Sequence, residues 1–287
     1  MTVVCTRSLL ILIKERWWTT VARIITRSVA DVVEQLELDG DTVVTVERLA
    51  AVMRQLDIAG DPRKLAYELQ RDGWLGQLRT RHSWEFLPGA RGGPYGAGDR
   101  FIEFRAQREV DPTWGGVLAM ESAVSILGLA QRIPEQEVVA LPEGEPFPKA
   151  LEKGWRYVRT DLPDEAIAEA NGLRTWGFEG LLVGIATRPS GYKDMAGLAQ
   201  WLETAGDKFD ETRVMRLLKS VQPAVRQRTA YLLLVLGNEE AAQWVASEFP
   251  PRMTAWFGPR EAGGRYEPMT KVSDTLLYKF IGAGTGS

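Results

Sequence analysis

The chain has 287 residues, is 45 % apolar and 25 % charged, and carries a formal net charge of −3, the composition of an ordinary globular protein with room for two domains. A single cysteine, Cys5, excludes an intramolecular disulfide and a thiolate zinc cluster, and a single histidine, His82, argues against histidine-based metal sites. A chain that is acidic overall can meet nucleic acid only through a local patch, and the run Leu9–Ile13 is too short for a signal or membrane segment; the expectation is a cytoplasmic protein with no membrane contact.

In chain order, the first readable element is VARIITRSVADVVEQLEL, about Val21 to Leu38. Its Ile24 or Ile25, Val29, Val32 or Val33 and Leu36 recur at helical spacing. Asp39-Gly40-Asp41 signals a turn and Thr42-Val43-Val44 a short strand. Thr45 stands where an N-cap belongs, ahead of VERLAAVMRQL with its stripe of Leu49, Val52, Met53 and Leu56. The same hydroxyl, with the helix N–H groups behind it, is also a candidate phosphate contact. Asp61-Pro62 opens a third helix, a cap followed by proline where its missing N–H costs nothing. Leu65, Ala66 and Leu69 point inward, while Arg63, Lys64, Tyr67 and Arg71 lie on another face. Gly73 is placed to stop this helix, with Trp74 as the apolar contact beyond it.

Leu75–Arg79 and Trp84–Pro88 then read as a hairpin around Thr80 to Ser83. Two helices joined by a short turn and followed by a hairpin give the order of a winged helix-turn-helix. The third helix suits a major groove about 12 Å wide. Arg79, Arg81, His82 and Ser83 sit where a wing reaches neighbouring phosphates. Pro62 to Arg91 holds six cations (Arg63, Lys64, Arg71, Arg79, Arg81, Arg91) against three acids (Glu68, Asp72, Glu85), so that window is +3 and the remainder −6. A protein-interaction module with a solvated cationic face fits the same pattern. Residues 1–20, with Trp17-Trp18, form an extension of open role.

The glycine-rich GARGGPYGAG, residues 89–98, reads as a linker. Beyond it, GGVLAMESAVSILGLA reads as a helix ending near Gly128, and EVVALP and WRYVRT as strands. FEGLLVGIAT, MAGLAQWLETAG, FDETRVMRLLKSV and the segment opened by Pro223 are helical, and RMTAWFG and TLLYKFIG close the chain as short β-prone pieces. The expected class is α+β: a winged helix-turn-helix domain over 1–90, followed by a larger mixed α/β domain over 91–287. This second part contains no phosphate loop, dinucleotide fingerprint or nucleophile elbow, so neither an enzyme nor a cofactor is expected. The pairs Asp164/Glu165 and Glu239/Glu240 fit helix starts. Arg213, Arg216, Lys219, Arg226 and Arg228 on two consecutive helices form either a phosphate- or partner-binding surface or a solvated face.

The succession of KLAYELQRDGWLGQLRTRHSWEFLPG, VLAMESAVSILGL, GWRYVRTD, GLRTWGFEGLLVGIATRPSGYKDMAGLAQWL and RVMRLLKSVQPAVRQRTAYLLLVLG resembles the AbiEi-type antitoxins of bacterial AbiE toxin–antitoxin systems. The likeness runs from about Val21 to Phe280. It implies a protein that binds inverted repeats in double-stranded DNA upstream of its own operon and represses it. It also implies opposition to a co-encoded nucleotidyltransferase-like toxin, without need of a stable complex. DNA contacts would fall on Arg63, Lys64, Tyr67, Arg71, Arg79 and Arg81, and antitoxicity on the second domain, where the Arg213–Arg228 surface is the candidate. The alternative is a winged-helix regulator whose second domain senses an effector or binds another protein.

Overall fold

The computed structural model describes residues 27–88, 98–130, 132–206, 209–261 and 263–282. Trp17-Trp18, the Leu9–Ile13 run, the expected helix start at Val21 and the linker up to residue 97 lie outside them. The chain divides into two units, Met1–Gln77 with Trp84–Gly98, and Leu78–Ser83 with Asp99–Ser287.

In the first unit, α1 (Arg27–Leu38), β1 (Val43–Thr45), α2 (Val46–Gln55) and α3 (Pro62–Arg71) precede β2 (Leu75–Gln77) and β3 (Ser83–Phe86). The apolar stripes that predict the helices are the ones they bury: Val32 and Leu36 of α1, Leu49, Val52 and Met53 of α2, and Leu65, Ala66 and Leu69 of α3 share one core with Val44, Trp74, Leu75, Trp84 and Phe86. The sheet order is β1-β3-β2, with Leu75 opposite Phe86, Gly76 opposite Glu85 and Gln77 opposite Trp84. Three helices and this small sheet make the winged-helix arrangement. The stop after α3 sets the hairpin. Gly73 takes a left-handed φ of 78°, its N–H bonds to the Gln70 carbonyl, and the Trp74 N–H reaches the Leu69 carbonyl, the pair of bonds that closes a helix at a glycine. Trp74 thereby enters the core and hands the chain to β2. The paired strands are shorter than the sequence suggests, and Ser83 opens β3 instead of ending the loop.

The second unit is built on a five-stranded mixed sheet of order β6-β5-β4-β8-β7. Its strands are β4 (Val117–Leu118), β5 (Glu137–Leu141), β6 (Trp155–Arg159), β7 (Ile167–Ala170) and β8 (Leu173–Trp176). Side chains alternate between its faces. Leu118, Val139, Leu141, Trp155 and Leu173 pack with Phe101, Phe104, Trp114 and Leu151, under α4 (Ile102–Val110), where Phe104 stacks on Trp155 at 5.9 Å. Val117, Val138, Ala140, Val158 and Trp176 face the larger core. That side carries α5 (Met120–Ile126), α6 (Phe178–Thr187), α7 (Met195–Thr204), α8 (Glu211–Lys219), α9 (Pro223–Val235) and α10 (Glu239–Glu248).

Two expectations are corrected by the structure, and one hairpin is added. Val117–Leu118 is a strand and the helix starts only at Met120, because a two-residue piece with period two is hidden inside a continuous apolar run. The added hairpin is β7–β8, whose turn is Asn171-Gly172, both residues at positive φ (54° and 67°), the pair that a two-residue hairpin loop favours. TLLYKFIG is not a strand. The last small sheet is β10-β11-β9, made of β9 (Ala255–Phe257), β10 (Arg265–Glu267) and β11 (Val272–Asp274). After β11 the fully buried Asp274 carboxylate accepts the Leu276 and Leu277 N–H groups and the Tyr231 hydroxyl, which curls the chain away from an extended course.

Helix α6 is buried nearly all round and crosses its neighbours at backbone contact. A Cβ on Gly180 would lie 2.1 Å from the Ala166 carbonyl oxygen, and one on Gly184 would lie 2.4 Å from the Trp176 ring. Helix propensity alone predicts that Gly180→Ala gains about 1 kcal/mol. Overpacking against a backbone carbonyl predicts a loss of about 1–3 kcal/mol instead. Chemical denaturation of the variant should show the loss; a gain would contradict the close approach.

Candidate nucleic-acid interface

Helix α3 is fixed before any ligand is considered. Asp61 accepts the Arg63 N–H at 2.9 Å and so caps the first turn, and the glycine stop closes the last turn. With Leu65, Ala66 and Leu69 buried, Arg63, Lys64, Tyr67 and Arg71 are left exposed. Spacings of three and four residues put these side chains on one strip. Tyr67 is 63 % exposed, although its ring meets Trp84 edge to face at 6.3 Å. Trp84 is itself held by a bond from its indole N–H to Gln70 Oε1 at 2.9 Å. The phenol is therefore propped outward instead of collapsing on the surface. Among the described residues Arg63 and Lys64 make no ion pair, and Arg71 makes only a weakly buried one with Asp72 at 3.1 Å. Such a strip can offer guanidinium forks to phosphates or guanine edges.

Other expected contacts are used within the fold. Thr45 is buried (6 % exposed), and its hydroxyl oxygen accepts the Arg48 N–H at 3.1 Å, so it is an N-cap and is not free for a phosphate. Arg48 is itself gripped by Asp39 and Asp41, and those bonds raise its already high pKa, Asp41 contributing most. Ser83 is buried and donates to the Thr80 carbonyl at 2.8 Å, which removes it from the wing surface. Arg79 is half-exposed but ion-paired to Glu103 at 3.2 Å, and its terminal nitrogen donates to the Lys153 carbonyl. Arg81 and His82 remain exposed at the hairpin tip, His82 in a left-handed conformation at φ 61°.

The five cations grouped from the sequence on α8 and α9 divide in two. Arg213 donates to the Glu165 and Ile167 carbonyls and lies 3.6 Å from Glu179. Arg226 donates to the Leu218 and Lys219 carbonyls at the end of α8, with its guanidinium 4.4 Å from the Phe249 ring centre. Arg228 donates to the Ala186 and Thr187 carbonyls at the end of α6, and burial pulls its pKa down. Only Arg216 and Lys219 are exposed without an ion pair among the described residues. Of the five, Arg213, Arg226 and Arg228 are thus engaged with carbonyls of the fold, and Arg216 and Lys219 are left to solvent. Sequence spacing could not tell a cation facing solvent from one facing a helix end. Removing a guanidinium that satisfies a carbonyl leaves that acceptor open, a cost of about 1–3 kcal/mol. Arg213→Ala and Arg226→Ala should each lower stability by that amount in denaturant titrations. Arg216→Ala and Lys219→Ala should stay within about 0.5 kcal/mol of the parent, and equal losses at all four would contradict this division.

Comparison with known proteins bears on the second unit. Residues 116–235 match the family model of the AbiEi antitoxin C-terminal domain. None of the curated proteins compared with the chain matches it. Among solved structures, the RV2827C protein from Mycobacterium tuberculosis is similar, with 28 % sequence identity and a TM-score of 0.73, over 90 % of this chain and 94 % of that one. No helix among the described residues is long and apolar enough to cross a membrane. The matched residues 116–235 span the sheet from β4 to β8 and helices α5 to α9, so this part of the chain is similar to the AbiEi antitoxin C-terminal domain.

Proposed function

We propose that this chain is an antitoxin that binds double-stranded DNA through α3, represses its own operon from an operator of inverted repeats, and counters a nucleotidyltransferase-like toxin encoded beside it. It does so in the cytoplasm, without catalysis of its own. The observation that carries the DNA reading is the strip of Arg63, Lys64, Tyr67 and Arg71, exposed on the third helix of a winged-helix fold while its apolar residues are buried. Arg63, at the helix start, suits base readout. Arg81, with His82 beside it at the tip, suits phosphate. The antitoxin role is supported by the match of residues 116–235 to the AbiEi antitoxin C-terminal domain. Its direct test is co-expression with the neighbouring gene product: the full chain restores growth, and reversing the charges of Arg63, Lys64 and Arg71 abolishes repression while rescue persists from a foreign promoter. Loss of rescue in that variant, with folding intact, would make antitoxicity depend on DNA binding and overturn the division of tasks.

A second reading has its own observation. The second unit contains an open cavity of about 1050 Å³, lined by residues that include Glu121, Leu129, Arg156, Tyr192, Lys193 and Trp201. Its wall is preorganised: Glu121 accepts from Arg156 at 2.5 Å and from the Lys193 N–H, and the Tyr192 hydroxyl accepts from the Trp201 indole at 3.2 Å. A regulator that senses an effector requires such a space. A small molecule that changes operator affinity would favour this reading, whereas growth rescue from the neighbouring toxin favours the first.

The number of phosphate contacts is measurable. If the third helix and the wing together neutralise about four phosphates, the logarithm of the binding constant should fall against the logarithm of salt with a slope near −4. A duplex from the chain's own upstream region, titrated over a salt series, supplies that slope. A flat dependence would remove the DNA reading.

A further inference from the structure

The hairpin tip is organised by one carboxylate. Glu103 of α4 is only 7 % exposed. Its Oε1 accepts the Arg79 backbone N–H at 2.8 Å and the Arg79 Nε–H at 3.2 Å. Its Oε2 accepts the Thr80 N–H at 3.2 Å and the Thr80 hydroxyl at 3.1 Å. Two successive backbone N–H groups and two side chains thus converge on a single buried anion, an arrangement that fixes a short segment more firmly than neutral hydrogen bonds do. The rest of the tip is set from within. Ser83 Oγ donates to the Thr80 carbonyl, the Leu78 N–H reaches the Ser83 carbonyl at 3.4 Å, and His82 turns the chain at positive φ. Arg81, the one tip cation left without a partner among the described residues, sits between these fixed points.

We propose that Glu103 is the positioning residue of the tip's DNA contact. It touches no DNA itself; it holds Arg79 and Thr80 so that Arg81 is presented to phosphate already ordered, and it withdraws Arg79 from the set of phosphate ligands. A loop ordered before binding avoids the entropic cost of ordering on contact. The inference rests on the DNA-binding reading above. It differs from the family-based expectation in taking Arg79 out of the interface and in adding a residue outside the hairpin.

The test uses the full chain and a duplex from its own upstream region, in an Arg79→Ala background so that a released Arg79 cannot add a phosphate contact. In that background Glu103→Ala should weaken binding about tenfold and reduce the magnitude of the salt slope by about one. Adding Arg81→Ala to the Glu103→Ala chain should then change little, because both substitutions remove the same contact. Thr80→Val, which keeps the volume and deletes one donor to Glu103, should give a smaller loss in the same direction and decides the matter if Glu103→Ala does not fold. Additive effects of Glu103→Ala and Arg81→Ala, or full binding by folded Glu103→Ala or Thr80→Val chains, would overturn the proposal while leaving DNA binding intact. Failure of the parent chain to bind any duplex would instead overturn the DNA reading on which it rests.

Discussion

Backbone carbonyls left open where helices and turns end decide where this chain's guanidiniums go. A helix leaves its last carbonyls without intrahelical partners. At α3, α5 and α9 a glycine in the left-handed conformation (Gly73, Gly128, Gly237) folds the chain back to satisfy them. Helices α6 and α8 lack that glycine, ending at Arg188 and Ser220. Their open carbonyls are the ones that Arg228 and Arg226 cap. The same logic extends to turns: Arg105 clasps the Asn171 and Gly172 carbonyls of the β7–β8 loop, and Arg159 those of Pro142 and Glu145. In the second unit arginine is largely a structural residue.

Against that background the cations of α3 stand apart. The turn after their helix satisfies the Glu68, Leu69 and Gln70 carbonyls with backbone N–H groups, and the strip of Arg63, Lys64 and Arg71 stays exposed toward an outside anion. Placement of cations relative to helix ends, more than their number, distinguishes a surface that can bind phosphate from one that is already engaged.

This contrast also explains which features were legible in the sequence. The winged helix was, because its signals are local: Thr45 and Asp61 as caps, Pro62 at the first helical position, Gly73 as the stop, and apolar spacing on three helices. Most of the second unit's helices were legible for the same reason. The five-stranded sheet was not, since β4 is two residues long and Leu118 meets Thr175 of β8 only across a long separation in sequence. Asn171-Gly172 did announce its hairpin, and the missing glycine after α6 and α8 announced that nearby arginines would be needed inside. The role of Glu103 had no local signal at all, because its partners lie 23 and 24 residues earlier in the chain.

The most direct measurement is amide hydrogen exchange of the full chain with and without a duplex from its own upstream region. The account predicts new protection confined to α3, Pro62–Arg71, and to the tip around Arg81, with α8 and α9 unchanged. Protection over Glu211–Val235 with none on α3 would contradict it.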